Sequence, residues 1–580
     1  MKQGTFEIKD TFYLNGEPFQ IISGGLHYFR VVPDYWKDRL EKLKALGCNT
    51  VETYIPWNLH EKEKGEYDFT GILDIKKFVL LAQELGLYVI LRPSPYICAE
   101  WEFGGLPYWL LKDENMHLRC TYEPYMKHVA EYYQRLFLEL VPLQITKGGP
   151  VILMQIENEY GYYGEDSTYL EWLKAQMIEN GCEVPLVTSD GPWGDAFTFG
   201  KIDGVLQTGN FGSKSEEHFA FMKAQIGNKP LMCMEFWVGW FDAWGAAHDT
   251  GDLEKCLEDL EYILKHGHLN IYMFHGGTNF GYMNGANYYD NLLPDVTSYD
   301  YDALLTEDGR VTAKYIEFQK KILEHVGKPI GEIPDTMTSV AYGKIPCTKT
   351  ADLLENLENL SQPVFSNVTK SMEQLGQGYG YTLYRSHLNP KSTLDKIRLK
   401  KANDRAKIYQ NQKELITLYD RELLEEHEIA GSKGGILDIL MENMGRVNFS
   451  WVMEEQRKGI DGCVLLNGRI HYGWEIYTLP LDNIEQIDYT KEAKQGLPGF
   501  FKFEFDIQEI GDTFLDFTGW GKGVAFVNGH NIGRYWEIGP QKRLYIPGPF
   551  LCKGSNEIVL FETEGKSNKW ISLEKYAKLS

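Results

Sequence analysis

Two short apolar segments in the first half of the chain end on acidic residues. Residues 151–156 lead into Glu157 and Glu159, and residues 230–234 lead into Glu235. A carboxylate that loses water at the end of an apolar strand costs free energy unless it is paired, hydrogen-bonded or used in chemistry. Two carboxylates facing each other across a pocket are the groups that cleave a glycosidic bond. The two segments therefore predict a glycosidase site.

Strand periodicity indicates which of these side chains face a shared pocket. If both segments are barrel strands, alternate side chains point at the barrel axis, which places Glu157, Glu159 and Glu235 on inward faces. Glu159 then lies at the rim and Glu157 one layer deeper. A single buried glutamate is as well explained by a structural ion pair. Two such strands, with Glu100 ending a third apolar run, favour catalysis at the C-terminal face of a barrel.

The first 330 residues alternate short apolar runs with amphipathic stretches. The apolar runs lie at residues 19–26, 50–56, 88–93, 151–156, 184–188, 205–208, 230–235 and 270–274. Helical patterns lie at residues 35–46, 72–85, 125–141, 169–180, 216–226 and 253–266, and glycine follows five of them, as a left-handed helix cap favours. We therefore predict the α/β class with a catalytic (β/α)₈ TIM barrel over residues 1–330. The stretch 184–208 is the least regular, because its two strands leave little room for a helix.

The remainder of the chain reads as all-β. Residues 331–377 are mixed, and we expect a connecting segment that can contribute strands to a β-domain. Short β-type runs punctuated by turns then predict two sandwiches, residues 378–490 and 491–580, which resemble galactose-binding jelly rolls. Likeness of fold does not by itself assign sugar binding to these domains.

Composition excludes several classes of partner and cofactor. The 580 residues carry a formal net charge of −23 without a basic cluster, which argues against nucleic acid and against anionic membranes.

The N-terminus lacks a signal-peptide core and no stretch is long enough to span a bilayer, so we expect a cytoplasmic protein. The nine cysteines contain no Cys-x-x-Cys pair, which favours reduced thiols. No convincing ligand set predicts a metal or another cofactor, and a homodimer is left open.

Several longer motifs occur in order along the barrel. They are ISGGLHYFR at residues 22–30, TYIPWNLHE at 53–61, RPSPYICAEW at 92–101, QIENEYG at 155–161, MEFW at 234–237, YMFHGGTNF at 272–280 and SYDYD at 298–302. Two further motifs lie in the β-domains, YGWEIY at 472–477 and VNGHNIGRYW at 527–536. With these motifs the chain resembles the β-galactosidases of glycoside hydrolase family 35, in their bacterial, cytoplasmic form.

The resemblance implies a retaining exo-β-galactosidase acting on galactose-terminated oligosaccharides. Carried over position by position, it makes Glu159 the acid/base and Glu235 the nucleophile. Its galactose-binding positions fall on Tyr54, Cys98, Ala99, Glu100, Asn158, Tyr272 and Tyr301. Trp237 stands where some members carry tyrosine, and together with Trp240 it resembles members acting on β-1,3-linked galactosides. A retaining β-glycosidase with another sugar specificity and an inactive carbohydrate-binding protein stay open as alternatives.

Overall fold

The computed structural model of the chain describes residues 3–334 and 337–580. The chain begins with a small antiparallel sheet of three strands, β1 (Phe6–Ile8), β2 (Phe12–Leu14) and β3 (Glu17–Pro18). The ring of Phe12 lies 4.4 Å from that of His268, the first residue of a barrel strand. This sheet therefore covers the N-terminal end of the barrel, away from the predicted site.

Eight parallel strands close into the barrel that the sequence predicts. They are β4 (Ile22–Leu26), β5 (Thr50–Tyr54), β6 (Tyr88–Arg92), β7 (Val151–Gln155), β8 (Leu186–Asp190), β9 (Leu206–Phe211), β10 (Met232–Trp237) and β11 (His268–His275). Each strand pairs with its sequence neighbours, and β11 closes the barrel against β4. Nearly all of their residues are buried, as strands covered on both faces require.

Helices cover the outside of the barrel. They are α1 (Trp36–Leu46), α2 (Trp57–His60), α3 (Ile75–Glu84), α4 (Glu123–Leu140), α5 (Ser167–Glu179), α6 (Ala196–Phe199), α7 (Ser215–Ile226), α8 (Leu253–His266) and α9 (Ala313–His325). Only the four-residue α6 fits between β8 and β9, which explains the irregular pattern of that region. α9 packs against α1 and α8 and so completes the helical ring.

The rest of the chain forms a hairpin and two β-sandwiches. Its elements are β12 (Ala286–Tyr288), β13 (Leu292–Pro294), β14 (Gly343–Pro346), β15 (Lys349–Asp352), α10 (Leu353–Leu360), β16 (Val364–Ser366), β17 (Tyr381–Thr393), β18 (Lys396–Asn403), β19 (Arg405–Gln410), β20 (Lys413–Tyr419), β21 (His427–Glu428), β22 (Lys433–Glu442), β23 (Val447–Phe449), β24 (Gly459–Leu466), β25 (Arg469–Ile470), β26 (Trp474–Leu479), β27 (Gly499–Ile507), β28 (Thr513–Asp516), β29 (Lys522–Val527), β30 (His530–Trp536), β31 (Arg543–Ile546), β32 (Gly554–Glu562) and β33 (Trp570–Glu574).

The two sandwiches are interleaved in sequence. The first packs the sheet β16-β26-β17-β22-β19-β20 against β21-β18-β24-β25, and the second packs β15-β27-β32-β29-β30 against β14-β33-β28-β31. β14 and β15 precede the whole first sandwich, yet they pair with β33 and β27 near the end of the chain. The segment between residues 343 and 366 thus supplies strands to both sandwiches.

The first sandwich is joined directly to the barrel face that carries the site. β23, which lies between the sandwich strands β22 and β24 in the chain, pairs in parallel with β12, which belongs to a hairpin that follows the last barrel strand. Next to β23, the Arg446 guanidinium donates to Glu102 of the barrel at 2.6 Å and also to Glu373, and all three side chains are sealed from solvent. Domain and barrel therefore form a continuous structure beside the predicted pocket.

Candidate active site

Glu235 lies near the C-terminal end of β10 and is held by three donors. Its Oε1 accepts a hydrogen bond from the Tyr54 hydroxyl at 2.8 Å and forms an ion pair with Arg92 Nη2 at 2.7 Å. Its Oε2 accepts from Trp237 Nε1 at 2.9 Å. Tyr54 and Arg92 are the last residues of β5 and β6, so neighbouring strand ends converge on this carboxylate. Charge-assisted bonds to both oxygens fix its orientation, as a carboxylate nucleophile requires.

Arg92 connects Glu235 to a second polar side chain, Asn158. Its Nη2 donates to Asn158 Oδ1 at 2.6 Å, and its guanidinium lies 3.8 Å from the centre of the Tyr54 ring. We did not single out Arg92 from the sequence. It nonetheless shows the signal that revealed Glu235, a charged residue that ends an apolar strand.

Glu159 lies in a different environment from that of Glu235. Its Oε1 accepts a hydrogen bond from Asn210 Nδ2 on β9 at 3.1 Å, and Asn210 in turn accepts from Ser189 on β8 at 2.5 Å. Burial and then the negative charge of Glu235 raise the pKa of Glu159 above that of an ordinary glutamate. Glu159 is therefore protonated near neutral pH, as a general acid must be.

The prediction that Glu157 faces the barrel axis is wrong. β7 ends at Gln155, and Glu157 and Glu159 have left-handed backbone φ angles of 56° and 48°, so strand alternation does not continue past the strand. Glu157 points at Arg119, with Nε–Oε1 and Nη2–Oε2 distances of 3.0 and 2.8 Å, and accepts from Tyr169 of α5. The same turn brings Asn158 into the pocket, which alternation did not explain.

A turn of left-handed residues carries three of the predicted galactose-binding positions. Cys98, Ala99 and Glu100 have φ angles of 57°, 56° and 47°. The Ala99 carbonyl accepts from Arg30 Nη2 at 2.5 Å, and the Asn448 amide of the first sandwich contacts Cys98 Sγ at 3.7 Å. Contacts from two domains thus stabilise a backbone conformation that non-glycine residues rarely adopt.

Three tyrosines, Tyr272, Tyr299 and Tyr301, form a wall beside this turn. Glu100 accepts a hydrogen bond from the hydroxyl of Tyr299, which lies 3.1 Å from the hydroxyl of Tyr272 on β11. The ring of Tyr301 lies 5.4 Å from that of Tyr272 and 5.2 Å from that of Tyr299. Burial raises the pKa of Glu100 to about 7. The structure therefore brings Glu100, Tyr272 and Tyr301 together, and it adds Tyr299, to which the sequence analysis assigned no role.

Five aromatic side chains, three of them exposed, form a row along the rim of the pocket. Successive rings lie 5.5 to 6.4 Å apart in the order Trp240, Trp237, Trp193, Tyr162 and Phe449, and we call this set the aromatic row. Trp240, Trp193 and Tyr162 are 39%, 38% and 40% exposed, whereas Trp237 reaches inward to Glu235. Exposed aromatic faces of this kind are suited to stacking against a ligand.

Other features of the described chain bear on cofactors and membranes. Across residues 3–334 and 337–580, no group of three or more His, Cys, Asp or Glu side chains is arranged to hold a metal ion. Within the same residues, no helix has the length and apolar character needed to cross a bilayer. All nine cysteines are free thiols.

Models of known protein families match both the barrel and the β-domains. The model of glycosyl hydrolases family 35 matches residues 11–325. The models described as beta-galactosidase, first all-beta domain, and beta-galactosidase, galactose-binding domain, match residues 369–480 and 498–556.

Similar proteins cover almost the whole chain. Beta-galactosidase-1-like protein 2 of Homo sapiens is 41% identical over 95% of this chain and 88% of its own length. Beta-galactosidase of Xanthomonas manihotis is 39% identical over 94% of this chain and 90% of its own. Beta-galactosidase 1 of Dictyostelium discoideum is 38% identical over 94% of this chain and 88% of its own. The chain is therefore a glycoside hydrolase that belongs to glycosyl hydrolases family 35.

Proposed function

We propose that this enzyme is a retaining exo-β-galactosidase, with Glu235 as the nucleophile and Glu159 as the acid/base. The observation that carries the proposal is the contrast between the two carboxyl groups. Glu235 is bound by Arg92, Tyr54 and Trp237, whereas burial and the charge of Glu235 keep Glu159 protonated. Two carboxyl groups whose surroundings separate their protonation states are suited to acid and nucleophile roles. The similar proteins named above are called β-galactosidases, which supports galactose as the sugar.

These environments support a double displacement. Glu235 attacks the anomeric carbon while Glu159 gives its proton to the departing glycosidic oxygen, which leaves a galactosyl ester on Glu235 and a carboxylate on Glu159. Ester formation removes the negative charge that helped to raise the pKa of Glu159, so this pKa falls and Glu159 stays ionised and available as the general base. It takes a proton from water, which attacks the anomeric carbon, and galactose leaves with its original β configuration.

The surroundings of the pair support recognition of one terminal sugar. The turn from Cys98 to Glu100 and the tyrosine wall lie on the inner side of the pocket, and the aromatic row lies on its outer side. We infer that galactose occupies the inner side and that the leaving group lies along the aromatic row. A preference for β-1,3-linked galactosides is the finer part of the proposal, motivated by Trp237 and Trp240. Equal or faster cleavage of β-1,4-linked disaccharides removes that finer part.

Leaving-group dependence and azide rescue test the two assignments. In Glu159→Ala, the dinitrophenyl galactoside needs no protonation and should still form the galactosyl enzyme, while release slows because the base is absent. Azide should then restore turnover and give the β-galactosyl azide. In Glu235→Ala, turnover should be lost even with this substrate, and any azide product should be the α anomer. General acid and base contributions are each on the order of 10²–10⁴-fold, so these differences are readily measured.

Further measurements could contradict the proposal. Glu157→Ala tests the alternative assignment: Glu157 contacts Arg119 rather than the pocket, so its loss should weaken the turn that carries Glu159 without giving azide rescue. If Glu157→Ala gave the rescued β-azide and Glu159→Ala did not, the acid/base assignment would be wrong. Internal cleavage products from a galactan would contradict exo action.

A further inference from the structure

A third carboxylate, Glu52, lies beneath the catalytic pair and has no role in the steps above. It lies on β5, two residues before Tyr54, and is 0% exposed. Its Oε2 accepts from Asn270 Nδ2 at 3.3 Å, and its Oε1 lies 3.6 Å from Arg92 Nη1. Within residues 3–334 and 337–580, neither that Oε1 nor that Nη1 makes a hydrogen bond. The Arg92 guanidinium thus faces Glu235 with Nη2 and Glu52 with Nη1.

We propose that Glu52 is a positioning residue that shares Arg92 with Glu235. When Glu52 ionises, its negative charge weakens the electrostatic effect of Arg92 on Glu159 and Glu235. The inference rests on the proposed function, since it concerns the roles assigned to Glu159 and Glu235. The titratable groups that face Glu52 are Arg92 from β6, Glu235 from β10 and Tyr54 from its own strand. Asn270 from β11 donates to Glu52, and Gly25 from β4 lies beside it.

The electrostatics of one cation between two buried carboxyl groups give the sign of the effect. Burial raises the pKa of Glu52 to about 7, the charge of Glu235 adds to this rise, and Arg92 opposes it. Glu52 is therefore neutral in acid and ionised above neutrality. Arg92 lowers the pKa of Glu159. Once Glu52 ionises and compensates Arg92, this lowering is reduced, and Glu159 stays protonated to higher pH.

The pH profile of kcat/KM in Glu52→Gln tests this coupling. Below neutrality Glu52 already carries a proton, so we expect the isosteric variant to match the unmodified enzyme there. On the basic side the variant lacks the negative charge, so the pKa of Glu159 falls. The basic limb should move to lower pH by on the order of 0.5–1 unit. Glu52→Asp keeps the charge and should move the limb back towards that of the unmodified enzyme.

A second buried glutamate provides the matched control. Burial raises the pKa of Glu307 to about 8, and its carboxylate accepts from Thr278 rather than from Arg92. Glu307→Gln should leave the basic limb unmoved. The inference is overturned if Glu52→Gln lowers kcat/KM equally at every pH, as a purely structural role would, or leaves the basic limb in place. Failure of the proposed function shows separately, as turnover retained in Glu235→Ala or absent azide rescue in Glu159→Ala.

Discussion

Arg119 and Glu157 form a bidentate ion pair behind the catalytic turn, with nitrogen–oxygen distances of 3.0 and 2.8 Å. Both side chains are sealed from solvent, and the guanidinium lies 3.6 Å from the centre of the Tyr96 ring. Arg119 Nη2 also donates to the backbone carbonyl of Asn158 at 2.9 Å, and the Glu157 carboxylate accepts from the backbone N–H of Asn158 at 2.7 Å. The pair therefore fixes the backbone on which Asn158 and Glu159 are presented.

Removing the charge of Glu157 should lower both the stability of the fold and kcat. Glu157→Gln leaves Arg119 buried without its counter-ion, and loss of one partner of a buried ion pair costs about 3–5 kcal/mol. We expect a lower unfolding temperature and a lower kcat, because Asn158 and Glu159 are no longer held in place. Thermal unfolding and steady-state kinetics measure both effects. Glu139→Gln, in the partly exposed pair with Arg135, should cost only about 0–1 kcal/mol and leave kcat unchanged.

The hydrogen bond from Asn210 should tune the basic limb of the pH profile. This bond favours the charged form of Glu159, and its removal in Asn210→Ala should raise the pKa of Glu159 further. Because the acid must be protonated, kcat/KM should then persist to higher pH. Asn389→Ala, at an exposed position of β17, should leave the profile unchanged. A shift to lower pH in Asn210→Ala would contradict the acid role of Glu159.

The aromatic row should act on the leaving group rather than on galactose. Trp193→Ala removes one exposed ring from the row, and an aromatic contact is worth about 0.5–1.5 kcal/mol beyond its buried area. We expect a severalfold rise in KM for galactosyl disaccharides and little change for a galactoside with a small leaving group. Trp570→Ala removes a ring of similar exposure from the second sandwich and should change neither value. Equal effects on both substrates would place Trp193 outside the leaving-group side.

The buried contact between domains should influence galactose binding. Arg446→Ala leaves Glu102 and Glu373 buried without their counter-ion, which costs about 3–5 kcal/mol. Because Glu102 closely follows the turn at residues 98–100, we expect KM for galactosides to rise. Arg385→Ala breaks the Arg385–Asp438 pair inside the first sandwich and should lower stability without changing KM. Unchanged KM in both variants would show that domain contact does not affect the pocket.

The sequence predicted the parts of the site that depend on local pattern. Eight apolar runs gave the barrel strands, and charge at a strand end identified Glu235, a signal that Arg92 shares. The pattern failed at Glu157, because alternation holds only while the backbone stays extended, and the left-handed turn after Gln155 is set by contacts with Arg119. Nothing local to residues 98–100 predicts their dependence on Asn448, which is distant in sequence. The pairing of β14 with β33 likewise joins segments that are distant in sequence, so no local pattern predicts it.

The contacts that Asn448 makes with the turn at residues 98–100 bear on how this enzyme can be divided. The Asn448 carbonyl also accepts from the Tyr96 hydroxyl at 2.6 Å, and a side chain at Gly104 would meet the same carbonyl at 3.0 Å. The pocket is thus shaped by a residue of the neighbouring domain that need not contact a ligand. We therefore expect that exchanging the first sandwich between relatives alters the pocket even when every barrel residue is preserved.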